Sequence, residues 1–186
     1  MDTIKVGICL PTNRGLKPKC LHSLLEMVAY RRYDYRIFIS TEGFTTAENR
    51  TWLAAQAVKA DCTHIFWVDD DMIYEKDTLE KLLSHDKDIV GAAYANRRGD
   101  GDVIEYFDEK PEGSIVKVKS LGGGCVLTKT DVFKKVPQPW FWYKIHPTGA
   151  ISMSHDWYFC EKARGMGFDV WCDTSFRPKH IGEKTF

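Results

Sequence analysis

The sequence predicts an α/β domain: a central, mostly parallel, twisted sheet flanked by helices, with a small antiparallel addition in the C-terminal half. Three observations predict it. Short apolar runs alternate with stretches of helical periodicity through the first half of the chain. Turn residues close several of these runs, and the third opens directly onto three consecutive aspartates. The length of 186 residues suits one core, so a single domain over 1–186 is expected.

The elements follow in order. Ile4 to Leu10 is a short apolar run closed by Pro11-Thr12-Asn13, as in a buried strand and its turn. Pro18 stands where a helix start tolerates it, and Leu21, Leu24, Leu25 and Val28 follow at helical spacing. Tyr35 to Ser40 is a second strand. Ala47 to Val58 carries Trp52, Leu53, Ala57 and Val58 on one helical face. His64 to Val68 is a third strand, running into Asp69-Asp70-Asp71. Lys76 to Ser84 reads as a helix with Leu79, Leu82 and Leu83 on one side, and Asp88 to Tyr94 as a fourth strand. The crossovers between parallel strands place helices on both faces.

The second half is less regular. Residues 96–102 form a polar loop. Val103–Phe107 and Ile115–Lys119 read as a hairpin turning about Lys110-Pro111-Glu112-Gly113. Gly122-Gly123-Gly124 leads into Cys125-Val126-Leu127 and a short helix from Asp131. Pro137 to Ser154 is loop-like and rich in aromatics. Asp156 to Met166 is a helix, Phe168 to Cys172 a strand, and the tail follows.

Charge and composition exclude some functions. Lys plus Arg and Asp plus Glu are each 26, so the formal net charge is zero. A nucleic-acid partner needs a net basic face and is not expected. No run reaches the roughly 20 apolar residues of a transmembrane segment. The N-terminus lacks a basic region followed by an apolar one, so no signal peptide is read. The six cysteines, several in apolar runs and none in a C-x-x-C pair, read as reduced core residues of a cytoplasmic protein.

The acidic triplet carries the first chemistry. Ligands of open α/β sheets bind beyond the carboxyl ends of strands, which is where Asp69, Asp70 and Asp71 fall. Three adjacent carboxylates repel one another unless a cation compensates. Val68 and Met72 supply no positive charge. Carboxylate oxygens suit Mg²⁺ or Mn²⁺. Asp156 opens a helix, where free N–H donors favour an ionised carboxylate, and with Ser154 it suits an N-cap or first-turn position.

The segment Phe66-Trp67-Val68-Asp69-Asp70-Asp71-Met72 resembles the D-x-D segment of GT-A glycosyltransferases, particularly the family 2-like group. Further features agree. Pro11-Thr12-Asn13 resembles the family's nucleotide loop. Ala47-Glu48-Asn49-Arg50 resembles its A-R-N helix start, with Glu48 where Arg is usual. The stretch Ser154 to Trp171 resembles the segment in which an E-D pair opens a helix before a Gly-hydrophobic strand; here the pair is His155-Asp156. His180-Ile181-Gly182 matches the H-x-G ending.

The resemblance implies a GT-A fold. It places a nucleotide-binding half at about 1–95 and an acceptor-binding half at about 96–186. It implies a metal-dependent glycosyltransferase that moves a sugar from a UDP- or GDP-sugar to a glycan acceptor, inverting, with Asp156 as base. Asp71 and His180 would hold Mn²⁺ or Mg²⁺. Pro11, Thr12, Asn13, Glu42, Arg50, Asp69 and Asp70 would bind the nucleotide sugar. Gly123, Gly124, Trp140, Trp142 and His155 would face the acceptor, and residues 144–154 would form a lid. Arg14, Arg97, Arg98 and Lys179 could add positive charge. Two alternatives stay open: a non-catalytic carbohydrate- or nucleotide-sugar-binding module, or a nucleotidyltransferase. The second would need a Gly-rich basic loop after the first strand, where Pro11 to Lys17 holds one Gly.

Overall fold

The computed structural model describes residues 3–41, 45–97, 99, 101–108 and 112–182. Its first half runs β1 (Lys5–Pro11), α1 (Pro18–Tyr30), β2 (Asp34–Ser40), α2 (Thr46–Lys59), β3 (His64–Val68), β4 (Met72–Ile73), α3 (Thr78–Ser84) and β5 (Ile89–Ala92). The second half runs β6 (Ile104–Glu105), β7 (Ile115–Val118), β8 (Ser120–Leu121), β9 (Cys125–Lys129), α4 (Thr130–Lys135), β10 (Lys144–Ile145), β11 (Ile151–Met153), α5 (His155–Gly165), β12 (Val170–Asp173) and β13 (Lys179–His180).

Seven strands form the central sheet in the order β2-β1-β3-β9-β5-β12-β7. β1, β2, β3, β5 and β12 share one direction, while β9 and β7 oppose it. The mixed α/β class and the mostly parallel sheet are thus as expected. The antiparallel strands come from the C-terminal half, but β9 lies inside the sheet. It separates β3 from β5, so the fourth predicted strand does not pair with the third. Close packing fixes this insertion at Gly91, where a Cβ would stand 2.5 Å from the Cys125 carbonyl oxygen.

The expected hairpin does not form. β6 pairs with β8, and β7 instead closes the edge of the main sheet against β12. Ile115–Val118 buries alternate residues, the pattern of a strand covered on one face, and this suits a main-sheet edge. Lys110 and Pro111 of the predicted turn lie outside the described residues.

Alternation along β3 divides the core. Ile65 and Trp67 face one apolar cluster with Leu53 of α2, Phe133 of α4 and Phe159 of α5. Phe66 and Val68 face the other, with Leu24 and Met27 of α1 and Leu79 and Leu82 of α3. On α1 the buried stripe is Cys20, Ser23, Leu24 and Met27. Leu21 and Leu25 of the predicted stripe are exposed. The correct face includes a serine and a cysteine, which a search for leucines passes over. All six cysteines are free and buried. Among the described residues, no helix is long and apolar enough to cross a membrane.

Candidate functional site

The turn after β3 spreads its three carboxylates in different directions. Its backbone is tied on several sides. The Asp70 carbonyl accepts the Lys17 N–H at 3.0 Å, and the Asp71 carbonyl accepts the Ile181 N–H at 2.8 Å. Asp69 Oδ1 then meets Arg50 Nη2 at 2.5 Å. Asp70 Oδ2 accepts the Thr12 hydroxyl at 2.5 Å. Asp71 Oδ1 lies 3.1 Å from His180 Nε2, and its Oδ2 lies 2.7 Å from Arg97 Nη2. The compensating cations therefore come from positions 50 and 97, far along the chain, rather than from the triplet's neighbours.

Arg50 is placed by α2, whose start is a capping box. Thr45 Oγ1 accepts the Glu48 N–H, and Glu48 Oε2 accepts the Thr45 N–H at 3.0 Å. Glu48 is thus the residue that anchors the helix end. Arg50 lies over the Trp67 ring at 5.1 Å, with its side chain only 2% exposed. Its Nε and Nη1 have no hydrogen-bond partner among the described residues. In this state it is the counter-ion of Asp69 at the wall of the cleft.

The glycine run makes room for this arrangement. A Cβ on Gly123 would lie 2.7 Å from the Arg50 guanidinium, and one on Gly124 would lie 2.9 Å from Asp69 Oδ2. The backbone also serves the site. Gly123 N–H donates to Asp156 Oδ2 at 3.0 Å, and Gly124 N–H donates to the Tyr94 hydroxyl at 2.9 Å. Tyr94 carried no motif, and only its packing against the glycines reveals it.

Asp156 sits in the first turn of α5. Its Oδ1 accepts the Ser154 hydroxyl and the Trp157 N–H. Ser154 is the N-cap residue, yet its hydroxyl turns to Asp156 instead of capping the backbone. Burial disfavours the Asp156 carboxylate, but His155, the Ser154 hydroxyl, Arg50 and the Gly123 N–H outweigh it and hold its pKa below the ordinary value. Burial, reinforced by Arg50, lowers the His155 imidazole to about 4, against the pull of Asp156. Near neutral pH the pair is a carboxylate beside a neutral imidazole. For Asp69, burial raises the pKa against Arg50, and the other three aspartates add to the rise.

Pro11, Thr12, Asn13, Arg50, Asp69, Asp70, His155 and Asp156 line one cleft of about 330 Å³. Asn49 joins them. It donates to Asn13 Oδ1 at 3.2 Å and accepts the Ser40 hydroxyl at 2.8 Å, so it sets the loop after β1 against α2. Asp71 lines an adjoining cleft with Arg14, Lys17 and Arg97. Glu42 and Arg98 lie outside the described residues. Trp140 is a correction. Its ring is buried against Phe133 and its Nε1–H donates to the Val136 carbonyl, so it belongs to the core. Trp142 is half exposed. Residues 144–153 hold the β10–β11 hairpin, which Lys144 fastens to Glu161 at 2.6 Å.

The donor set at Asp71 and His180 fits a divalent cation. His180 Nδ1 lies 3.0 Å from the Ala95 carbonyl, which can only accept, so Nδ1 carries the hydrogen. That turns Nε2 toward Asp71, the orienting contact typical of a metal-binding imidazole. When the ring is protonated, Nε2–H donates to Asp71, which raises the His180 pKa, partly offset by burial. Burial opposes ionisation of Asp71, but His180 and Arg97 hold its pKa below the ordinary value. Among the described residues, no group of three or more His, Cys, Asp or Glu is gathered for a metal. Two protein donors suffice where substrate phosphates complete the coordination, as Mg²⁺ sites commonly arrange.

No protein-family model matches the chain, and no curated protein matches it. Solved structures do. Protein A197 from STIV shares 15% identity, with a TM-score of 0.69 over 97% of this chain and 86% of that one. GalNAc-T7, solved with UDP, GalNAc and Mn²⁺, shares 9% identity at a TM-score of 0.63 over 97% of this chain. The TarS 1-349 structure from S. aureus, in complex with UDP-GlcNAc, shares 14% identity at a TM-score of 0.61 over 98%. The chain spans 44% and 60% of the lengths of these last two. At such identities the likeness speaks for the fold alone, and that fold is GT-A-like, as the D-x-D segment and the H-x-G ending led one to expect.

Proposed function

We propose that the chain is a metal-dependent glycosyltransferase that moves a sugar from a UDP- or GDP-sugar to a hydroxyl of a glycan acceptor, with inversion. One observation carries the reading. Asp156, from the C-terminal half, opens into the same cleft as Asp69 and Asp70, from the N-terminal half. An inverting transfer needs this combination: donor-holding carboxylates and a separate base on one cavity. The GT-A-like fold supports it, since the fold is shared with structures that hold UDP or a UDP-sugar.

The residues divide the work. Thr12, Asn13 and Asn49 offer polar groups at the end of β1 for the nucleoside. Asp69, steadied by Arg50, keeps 31% of its side chain open and reaches toward the ribose or sugar. Asp156 Oδ1 already accepts two hydrogen bonds, while Oδ2 accepts only the Gly123 N–H among the described residues. Oδ2 therefore keeps an acceptor position for the incoming hydroxyl. As the new glycosidic bond forms, the hydroxyl proton passes to Oδ2 and the bond to the diphosphate breaks. His155 stands beside Asp156, its imidazole kept neutral at pH 7 by burial and by Arg50. Asp71 and His180 would hold the Mn²⁺ or Mg²⁺, whose chemistry is to neutralise charge on the departing diphosphate. The reading includes one catalytic domain over 1–186 and the cytoplasmic setting expected for free thiols.

Calorimetry with UDP and GDP, with and without Mn²⁺, tests donor binding. Metal-supported binding that Asp71→Ala removes is the expected result. Asp156→Asn should keep donor binding and lower transfer by roughly 10²- to 10⁴-fold. Full transfer in that variant would remove Asp156 from the mechanism.

A further inference from the structure

The loop after β5 lays one arginine over the Asp71–His180 pair. Arg97 Nη2 is 2.7 Å from Asp71 Oδ2, and its Nε is 3.5 Å from His180 Nε2. The partners differ in freedom. Asp71 is 3% exposed and Arg97 is 58% exposed. The Asp71 backbone is fixed by the Ile181 N–H, beside the β4–β13 pairing. The arginine arm lies largely in water. It also borders both clefts: the one holding Asp69 and Asp156, and the one holding Arg14 and Lys17.

We infer that Arg97 is the resident counter-ion of Asp71, and that it yields this place to a divalent cation and turns to the diphosphate that the cation carries. The inference rests on the metal-site reading above. A buried carboxylate is costly without a cation, and Arg97 supplies one before any ligand arrives. A guanidinium and a metal ion at one carboxylate repel each other, so Arg97 weakens binding of the bare metal. The same guanidinium suits phosphate oxygens, so once displaced it strengthens binding of the metal–diphosphate pair. Arg97 thus makes the site select a metal–nucleotide over free metal.

Titration of Mn²⁺ followed by electron paramagnetic resonance reads the first effect, and calorimetry with UDP and GDP in Mn²⁺ reads the second. Arg97→Gln should bind bare Mn²⁺ roughly three- to tenfold more tightly, and should bind the better nucleotide more weakly by a similar factor. Arg14→Gln removes the same charge from the same clefts, but Arg14 has no ion pair to Asp71. It should leave bare Mn²⁺ affinity within about twofold. Unchanged or weaker Mn²⁺ binding in Arg97→Gln, or an equal gain in Arg14→Gln, overturns the inference. If Asp71→Ala still abolishes Mn²⁺ binding in that case, the metal site stands without it. Absence of Mn²⁺ binding in all the chains overturns both.

Discussion

Arg50 is 1% exposed, and its guanidinium acts on both Asp69 and Asp156. Its place depends on the absence of a side chain at Gly123, where a Cβ would stand 2.7 Å from the guanidinium carbon. Buried cations do not shift freely, because leaving Asp69 would expose an uncompensated carboxylate. Gly123→Ala should therefore cost about 1–3 kcal/mol in urea denaturation, the usual penalty of overpacking. Gly165, at the end of α5, has open space around its would-be Cβ. Gly165→Ala should be neutral or stabilising by about 0.5 kcal/mol, chiefly by restricting the unfolded chain. Equal losses in both variants would show that close approach to Arg50 is not what requires Gly123.

Most elements were legible because their signals are local. The strand and helix of β3 and α2 stand in the sequence as an apolar run and a helical face, and the acidic turn follows its strand directly. Pairing was not legible, because partners of β9 and β7 are set by contacts remote in sequence. The site divides the same way. Asp156 and the triplet came from motifs, whereas Asn49, Tyr94 and the contact of Arg97 with Asp71 depend on how distant segments meet. The C-terminal end of β12 shows such a junction. Asp173 accepts the Ser175 N–H and hydroxyl on Oδ1 and lies 2.7 Å from His85 Nε2 on Oδ2, joining the strand to the end of α3. Burial opposes its charge, but these bonds outweigh it and lower its pKa. Its stabilising effect is therefore present above the unfolded carboxyl pKa of about 4 and is lost as pH falls through the lower folded value. Asp173→Asn should cost about 1–3 kcal/mol at pH 7 by urea denaturation, with the difference from the parent shrinking below about pH 4. A difference that stays constant with pH would mean that the charge of Asp173 contributes nothing.

At the scale of the whole molecule, equal numbers of acidic and basic residues conceal a polarised distribution. Four aspartates and three arginines gather at one end of β1 and β3, across the two adjoining clefts. The opposite ordering holds for the thiols, which are dispersed through both apolar clusters, with Cys9, Cys62, Cys160 and Cys172 on one side and Cys20 and Cys125 on the other. Burial is the leading cause that raises the pKa of Cys20 to about 11 and of Cys160 to about 12. Thiolate, not thiol, is the reactive form, so low access protects all six cysteines and low ionisation adds to it at Cys9, Cys20, Cys62, Cys125 and Cys160. Reaction must then wait for the chain to open, and because the cysteines sample both sides of the sheet, it reports opening of the whole core. At pH 8 the native protein should show no fast-reacting thiol toward a disulfide reagent followed by absorbance, and all six should react promptly in denaturing urea. The slow native rate should accelerate in Gly123→Ala as its stability falls. A cysteine labelled rapidly in the native chain would show that one side of the sheet opens independently, and its position would identify which.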